Sequence, residues 1–136
     1  MRTKLAVSMA GFLFMAALPV LAHHSFSAEY DSNKPATIKG TVTKIEWMNP
    51  HARFYVDVKD ASGKVTNWEF ELAAPVMLMR TGWTRNSMKP GDEVIVECNL
   101  AKDGSNLAST KRVTTPDGKR LFAGQATDSG APSQQQ

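Results

Sequence analysis

The sequence predicts an all-β fold with one short helix, a small five-stranded β-barrel of the OB type. Three observations favour this fold: short segments of alternating apolar and polar residues, turn residues between them, and one helix-like segment after the third predicted strand. Three strands, a helix and two strands follow one another in the OB barrel. An open β-sandwich is the alternative, because the order of the elements does not show that the sheet closes.

The first predicted strand is irregular. Residues 37–47 are rich in β-forming residues, but the apolar side chains move from even-numbered positions up to Val42 to odd-numbered positions from Ile45 onward. The two faces of a strand alternate residue by residue, so this change of phase predicts a β-bulge or a strong bend.

The second and third predicted strands form a hairpin. Residues 52–59 and 64–72 each place apolar side chains on one face, and a glycine-containing turn separates them. The other face is expected to be exposed to solvent. The hairpin register sets its side chains opposite one another, Arg53 with Glu71 and Tyr55 with Glu69.

A short helix is predicted at residues 73–81. Pro75 suits a first helical turn, and Gly82 stands where a helix usually ends. Met77 and Met79 are interpreted as core residues rather than copper ligands, because methionine often fills gaps and a helix that plugs the sheet would bury both.

Two further strands are predicted at residues 93–100 and 107–114, and a final turn leads into a short returning segment at residues 120–122. Cys98, the only cysteine of the chain, falls on the apolar side of the first of these strands. We therefore expect a buried thiol and no internal disulfide.

The two ends of the chain define its organisation. Residues 1–22 have the basic start, the apolar stretch and the small residues of a cleaved export signal. The apolar stretch is too short to span a membrane, and no later segment is long enough, so we expect an exported, periplasmic protein without a membrane span. The predicted units are a signal peptide at 1–22, an N-terminal arm at 23–36, the barrel at 37–122 and a disordered tail at 123–136.

The charge of the chain gives little support to nucleic acid as a partner, and we expect none. Lys and Arg outnumber Asp and Glu by 16 to 13, but two of the basic residues lie in the signal peptide, so the processed chain is nearly neutral. The predicted outer face carries mixed charges and one aromatic residue. A protein that binds single-stranded nucleic acid needs a basic groove and several aromatic side chains on which the bases stack.

Short motifs are spread over nearly the whole processed chain. They are His23-His24-Ser25-Phe26, Glu29-Tyr30-Asp31, Gly40-Thr41-Val42, Trp47-Met48-Asn49-Pro50-His51, Trp68-Glu69-Phe70-Glu71, Arg80-Thr81-Gly82-Trp83, Lys89-Pro90-Gly91-Asp92 and Lys102-Asp103-Gly104-Ser105. Together they resemble a family of small exported bacterial proteins of unknown function. The resemblance implies a periplasmic, β-barrel-like domain and no established activity, so it assigns no catalytic residue.

The three histidines predict a metal site. Cleavage after Ala22 would place His23 and His24 at the new amino terminus, where the free α-amine and an imidazole can chelate one ion. His51 begins a strand on the solvent-exposed face and could join them if the arm folds back. Nitrogen ligands favour Cu(II), with Zn(II) and Ni(II) as weaker candidates.

A non-metal function is the alternative. His51 could serve only to cap the hairpin, and the outer face could bind a glycan, a small molecule or another periplasmic protein, as OB barrels do. No catalytic constellation is present, and we expect no enzymatic activity. The predicted ligand-contacting residues are Trp47, Asn49, Arg53, Tyr55, Glu69 and Glu71.

Overall fold

A computed structural model describes residues 26–124 of the chain. It contains two short helices and six strands. In chain order they are α1 (Phe26–Glu29), β1 (Tyr30–Glu46), β2 (Arg53–Lys59), β3 (Val65–Glu71), α2 (Pro75–Arg80), β4 (Glu93–Ala101), β5 (Leu107–Thr114) and β6 (Arg120–Phe122). Strands β2 to β5 agree with the predicted segments to within one residue at each end. The sequence did not predict helix α1.

The six strands form one sheet in the order β3, β2, β1, β4, β5, β6. Strand β3 also pairs in parallel with β5, so β1 to β5 close into a ring and β6 lies on the outside edge of β5. The predicted all-β class with a five-stranded closed sheet is confirmed. Closure removes the free edges that an open sandwich would leave.

Strand β1 is longer than predicted, because it begins at Tyr30 instead of residue 37. Residues 30–36, which the sequence suggested as part of a separate arm, run beside β4, where Tyr30 pairs with Ala101 and Ala36 with Cys98. The sequence hides this extension because the residues that follow Tyr30 are polar and mostly exposed. The chain therefore enters the sheet within four residues of Phe26.

The bulge predicted in β1 is present. The pairing of β1 with β2 shifts register between Val42 and Lys44. Next to the bulge, β1 passes so close to β2 that a Cβ atom on Gly40 would lie 2.3 Å from the carbonyl oxygen of Asp57. The bend lets β1 pair with β4 along one part of its length and with β2 along the other.

The core fills the ring. Its largest fully buried side chains include Phe54 and Phe70, whose rings stack with centroids 5.1 Å apart. Cys98 is buried, as predicted. Ala123 is also buried, although the sequence suggested that the disordered tail begins there, because its backbone N–H donates to Lys111 O at 3.0 Å.

The predicted burial of Met77 and Met79 is wrong. These side chains are 50% and 55% exposed, and Leu78 between them is the only buried residue of α2. Successive residues of a helix point about 100° apart, so a short helix that directs Leu78 into the core turns both neighbours outward.

Candidate functional site

A buried carboxylate joins three parts of the chain at one side of the ring. Glu71, the last residue of β3, is 5% exposed, and its Oε1 lies 2.5 Å from Nδ1 of His51. Its Oε2 accepts a hydrogen bond of 2.5 Å from the hydroxyl of Tyr30, the first residue of β1. We call Tyr30, His51 and Glu71 the His51 cluster.

Backbone pairing holds the His51 cluster in place. Strands β2 and β3 set Arg53 opposite Glu71, as predicted. Beyond that pair, the N–H of Leu72 donates to Ala52 O at 2.9 Å and the N–H of Ala52 donates to Ala73 O at 3.1 Å. His51, next to Ala52, is therefore kept beside the end of β3. The loop that carries it contains a cis peptide bond before Pro50.

The position of Glu71 corrects the prediction that this residue faces solvent. The long strand β1 brings the ring of Tyr30 over it, and Tyr30 is only 2% exposed. The motif Glu29-Tyr30-Asp31 contains this residue, but the sequence did not predict Tyr30 as a site residue because residue 30 was assigned to the arm. Its sequence signal is weak, since one aromatic residue before a polar run does not indicate a buried strand.

The hydrogen bond between Tyr30 and Glu71 has a defined direction. Burial, and after it the hydrogen bond to Glu71, raises the pKa of Tyr30 above its ordinary value, so the phenol remains the donor and the carboxylate the acceptor. Nδ1 of His51 faces the same carboxylate, so Nε2 is the ring nitrogen that this contact leaves open. The His51 side chain is 36% exposed, so solvent reaches this residue.

The rest of the predicted outer face is occupied by pairs within the sheet. Arg53 Nη1 lies 2.9 Å from Glu69 Oε1, diagonally across the hairpin rather than opposite. The hydroxyl of Tyr55 donates to Glu46 Oε2 at 3.1 Å, and Glu46 also pairs with Lys44. Arg53, Tyr55 and Glu69 therefore already have partners inside the protein.

Trp47 and Asn49 lie in a different place, a surface groove of about 570 Å³ beside α2. We call it the Trp47 groove. Its apolar walls are Trp47, Met48, Pro75, Met79 and Trp83, and its polar rim is Asn49, Thr84 and Arg85. The six predicted ligand-contacting residues are thus divided between this groove and the hairpin face. Met79 lines this groove instead of entering the core as predicted, and no sequence pattern predicts that Met48, Trp83 or Arg85 lines it.

The predicted metal ligands are only partly within the described residues. His51 lies in the His51 cluster, whereas His23 and His24 lie outside residues 26–124. Within that range no group of three or more His, Cys, Asp and Glu side chains is arranged to hold a metal ion. The described part of the chain also has no helix long and apolar enough to cross a membrane.

Comparison with known proteins gives a family but no activity. No curated protein and no solved structure matches the chain. The chain belongs to DUF6152, a family of unknown function, whose profile matches residues 11–110. The matched segment includes all three members of the His51 cluster and all residues of the Trp47 groove.

Proposed function

We propose that the protein is exported to the periplasm, cleaved after Ala22 and binds one transition-metal ion through His51 and the new amino terminus with His23 and His24. Copper is the favoured metal, and the role is binding or delivery rather than catalysis. The observation that carries this proposal is the contact of 2.5 Å between Nδ1 of His51 and Oε1 of Glu71.

A histidine that binds a metal ion almost always donates its second ring N–H to a carboxylate, a carbonyl or water. That contact fixes the tautomer and the orientation of the ring and makes the ligating nitrogen more basic. Glu71 places a carboxylate oxygen 2.5 Å from Nδ1 of His51, and Tyr30 in turn orients Glu71. The ring of His51 is therefore prepared to offer Nε2 to a ligand.

The path of the chain supports a contribution from the amino terminus. The ring of Phe26, the first described residue, lies 5.5 Å from the ring of Tyr30, whose hydroxyl contacts Glu71. The described chain therefore begins near the His51 cluster. Residues 23–25 add an extended length of up to about 10 Å before this point.

The ligand types support copper. Residues 26–124 contain no group of three or more His, Cys, Asp and Glu side chains that could hold a metal ion, so we complete the proposed set with the α-amine, His23 and His24. A set of nitrogen ligands binds Cu(II) more tightly than the other common divalent ions. Zn(II) and Ni(II) are the weaker candidates.

A module that binds a non-metal ligand or a periplasmic protein through the outer sheet face remains the alternative proposal. The internal pairs of Arg53 with Glu69 and of Tyr55 with Glu46 weigh against it, because a ligand on this face would have to break them. The metal proposal requires no existing contact of His51 to be broken.

A competition titration with Cu(II), followed by electron paramagnetic resonance, tests the metal proposal. The protein that begins at His23 is compared with the same protein carrying one additional methionine in front and with His51→Ala. We expect one tight site with nitrogen hyperfine structure, which is lost in the extended protein. In His51→Ala we expect at least about tenfold weaker binding.

Two results would contradict the proposal. Equal binding by the native and the extended terminus would remove the amino-terminal chelate. An unchanged affinity and hyperfine pattern in His51→Ala would remove His51 from the site. Circular dichroism of each variant, recorded without metal, shows whether the fold is retained.

A further inference from the structure

The Trp47 groove exposes several apolar side chains to solvent. Met48 and Met79 are each 55% exposed, and both line the groove. Exposed apolar patches with a polar rim mark binding sites on proteins of this size. Methionine is common at such sites because its unbranched, polarizable side chain adapts to differently shaped apolar ligands.

The floor of the groove is rigid. Trp83 is 2% exposed, and its indole Nε1–H donates to Phe122 O at 2.9 Å. Its backbone N–H donates to Leu78 O at 3.1 Å, and Leu78 is fully buried. Flexible methionine walls over a fixed tryptophan floor can hold an apolar chain without a large rearrangement of the backbone.

One cation at the rim of the groove lacks a partner. Among residues 26–124, no hydrogen bond or ion pair involves the side chain of Arg85, which is exposed and lines the groove. The turn that carries it is fixed, because the N–H of Thr84 donates to Ser87 Oγ at 2.8 Å. Arg80, by contrast, does not line the groove and lies with Nη1 3.8 Å from Met77 Sδ.

We propose that the Trp47 groove binds a single-chain amphipathic anion, with the apolar chain against Trp47, Met79 and Trp83 and the acid group at Arg85. The apolar walls provide area to cover, and the unpaired guanidinium supplies a hydrogen-bonding fork that suits a carboxylate. A volume of about 570 Å³ is that of a small-molecule site rather than of a protein interface. The site is independent of the proposed metal site, since it shares no residue with the His51 cluster.

Dodecanoate is the probe that tests this proposal. The protein is used as isolated from the cell, with its terminus determined by mass spectrometry, and binding is followed by calorimetry and by tryptophan fluorescence below the critical micelle concentration. We expect saturable binding of one molecule per chain. We expect dodecyltrimethylammonium, which has the same chain and the opposite charge, to bind about tenfold more weakly or not at all.

Matched variants assign the binding to the groove. Met79→Ser and Arg85→Gln should each weaken dodecanoate binding about tenfold. Met77→Ser and Arg80→Gln change the same residue types on α2, outside the groove, and should change the affinity less than twofold. All four sites are exposed, so the variants should fold normally.

Three results would overturn the proposal. The first is the absence of saturable dodecanoate binding. The second is an equal loss of affinity in the groove variants and their controls, which would show adsorption to exposed apolar surface in general. The third is an unchanged affinity in Arg85→Gln, which would show that the groove does not recognise the anion.

Discussion

The hydroxyl of Tyr30 donates a hydrogen bond of 2.5 Å to Oε2 of Glu71, a residue 41 positions later in the chain. The bond joins the start of β1 to the end of β3, two strands that are not neighbours in the sheet. Both residues are buried, so water cannot replace either partner. This contact connects the entry of the chain into the fold with the orientation of His51.

Removing the hydroxyl of Tyr30 should destabilise the fold. Tyr30→Phe leaves Oε2 of the buried Glu71 without its donor, and an unsatisfied buried acceptor costs about 1–3 kcal/mol in the free energy of unfolding. Tyr55→Phe is the matched control, because its hydroxyl bonds to Glu46 on the exposed face, where water can substitute. Urea denaturation measures both, and equal losses would show that burial of the carboxylate does not matter.

Changing Glu71 should weaken the proposed metal binding without removing a ligand. Glu71→Gln keeps the shape of the side chain but removes the charge that faces Nδ1 of His51, and loss of such a partner costs about 10–100-fold in metal affinity. Glu69→Gln is the control, since Glu69 lies on the same strand and pairs with Arg53 instead. Cu(II) competition titrations should separate the two, and equal affinities would count against the role of Glu71.

The single buried residue of α2 should carry most of the stability that the helix provides. Leu78→Ala removes a fully buried side chain, and such truncations cost about 2–5 kcal/mol. Met77→Ala, one residue away and half exposed, should change stability by less than about 0.5 kcal/mol. Thermal denaturation of both variants is the measurement. A large effect of Met77→Ala would mean that the helix packs differently from the arrangement described.

Because Gly40 is crowded, any larger residue at this position should lower the stability of the fold. A Cβ atom at this position would lie 2.3 Å from the carbonyl oxygen of Asp57 and 2.6 Å from Val56 Cγ1. Gly40→Ala must therefore push β1 and β2 apart, and overpacking of this kind costs about 1–3 kcal/mol or more. Gly104→Ala offers the comparison, because nothing lies within 4 Å of its Cβ and only its positive φ opposes the change. Chemical denaturation should find the larger loss at Gly40.

Local patterns predicted most of the sheet and little of the candidate site. The alternation in β2, β3 and β4 reflects one buried face, and it gave the strand positions and the pairing of Arg53 with Glu71. The His51 cluster depends instead on where a polar stretch of β1 runs, which tertiary pairing with β4 decides. The Trp47 groove depends on the rotation of α2 about its axis, and six residues are too few for a periodic pattern to define it.

Alkaline pH should destabilise the protein partly through Cys98. Burial raises the pKa of this thiol from its ordinary value of 9.0 to about 11, so between these values the unfolded chain loses a proton that the folded chain keeps. The folded state then binds more protons than the unfolded state, and stability must fall as pH rises, by up to about 1.4 kcal/mol per pH unit for one group. Tyr30 acts in the same direction above pH 10, since its pKa is raised as well.

Cys98→Ala separates the contribution of the thiol from that of Tyr30. The variant keeps Tyr30 but has no group that titrates at residue 98, so its free energy of unfolding should fall less steeply between pH 9 and pH 11 than that of the native protein. Any loss of packing in the variant shifts its stability equally at every pH and leaves the slope unaffected. Urea denaturation at intervals across this range gives both slopes. Identical slopes would mean that the thiol titrates alike in the folded and unfolded chains and is not held protonated by burial.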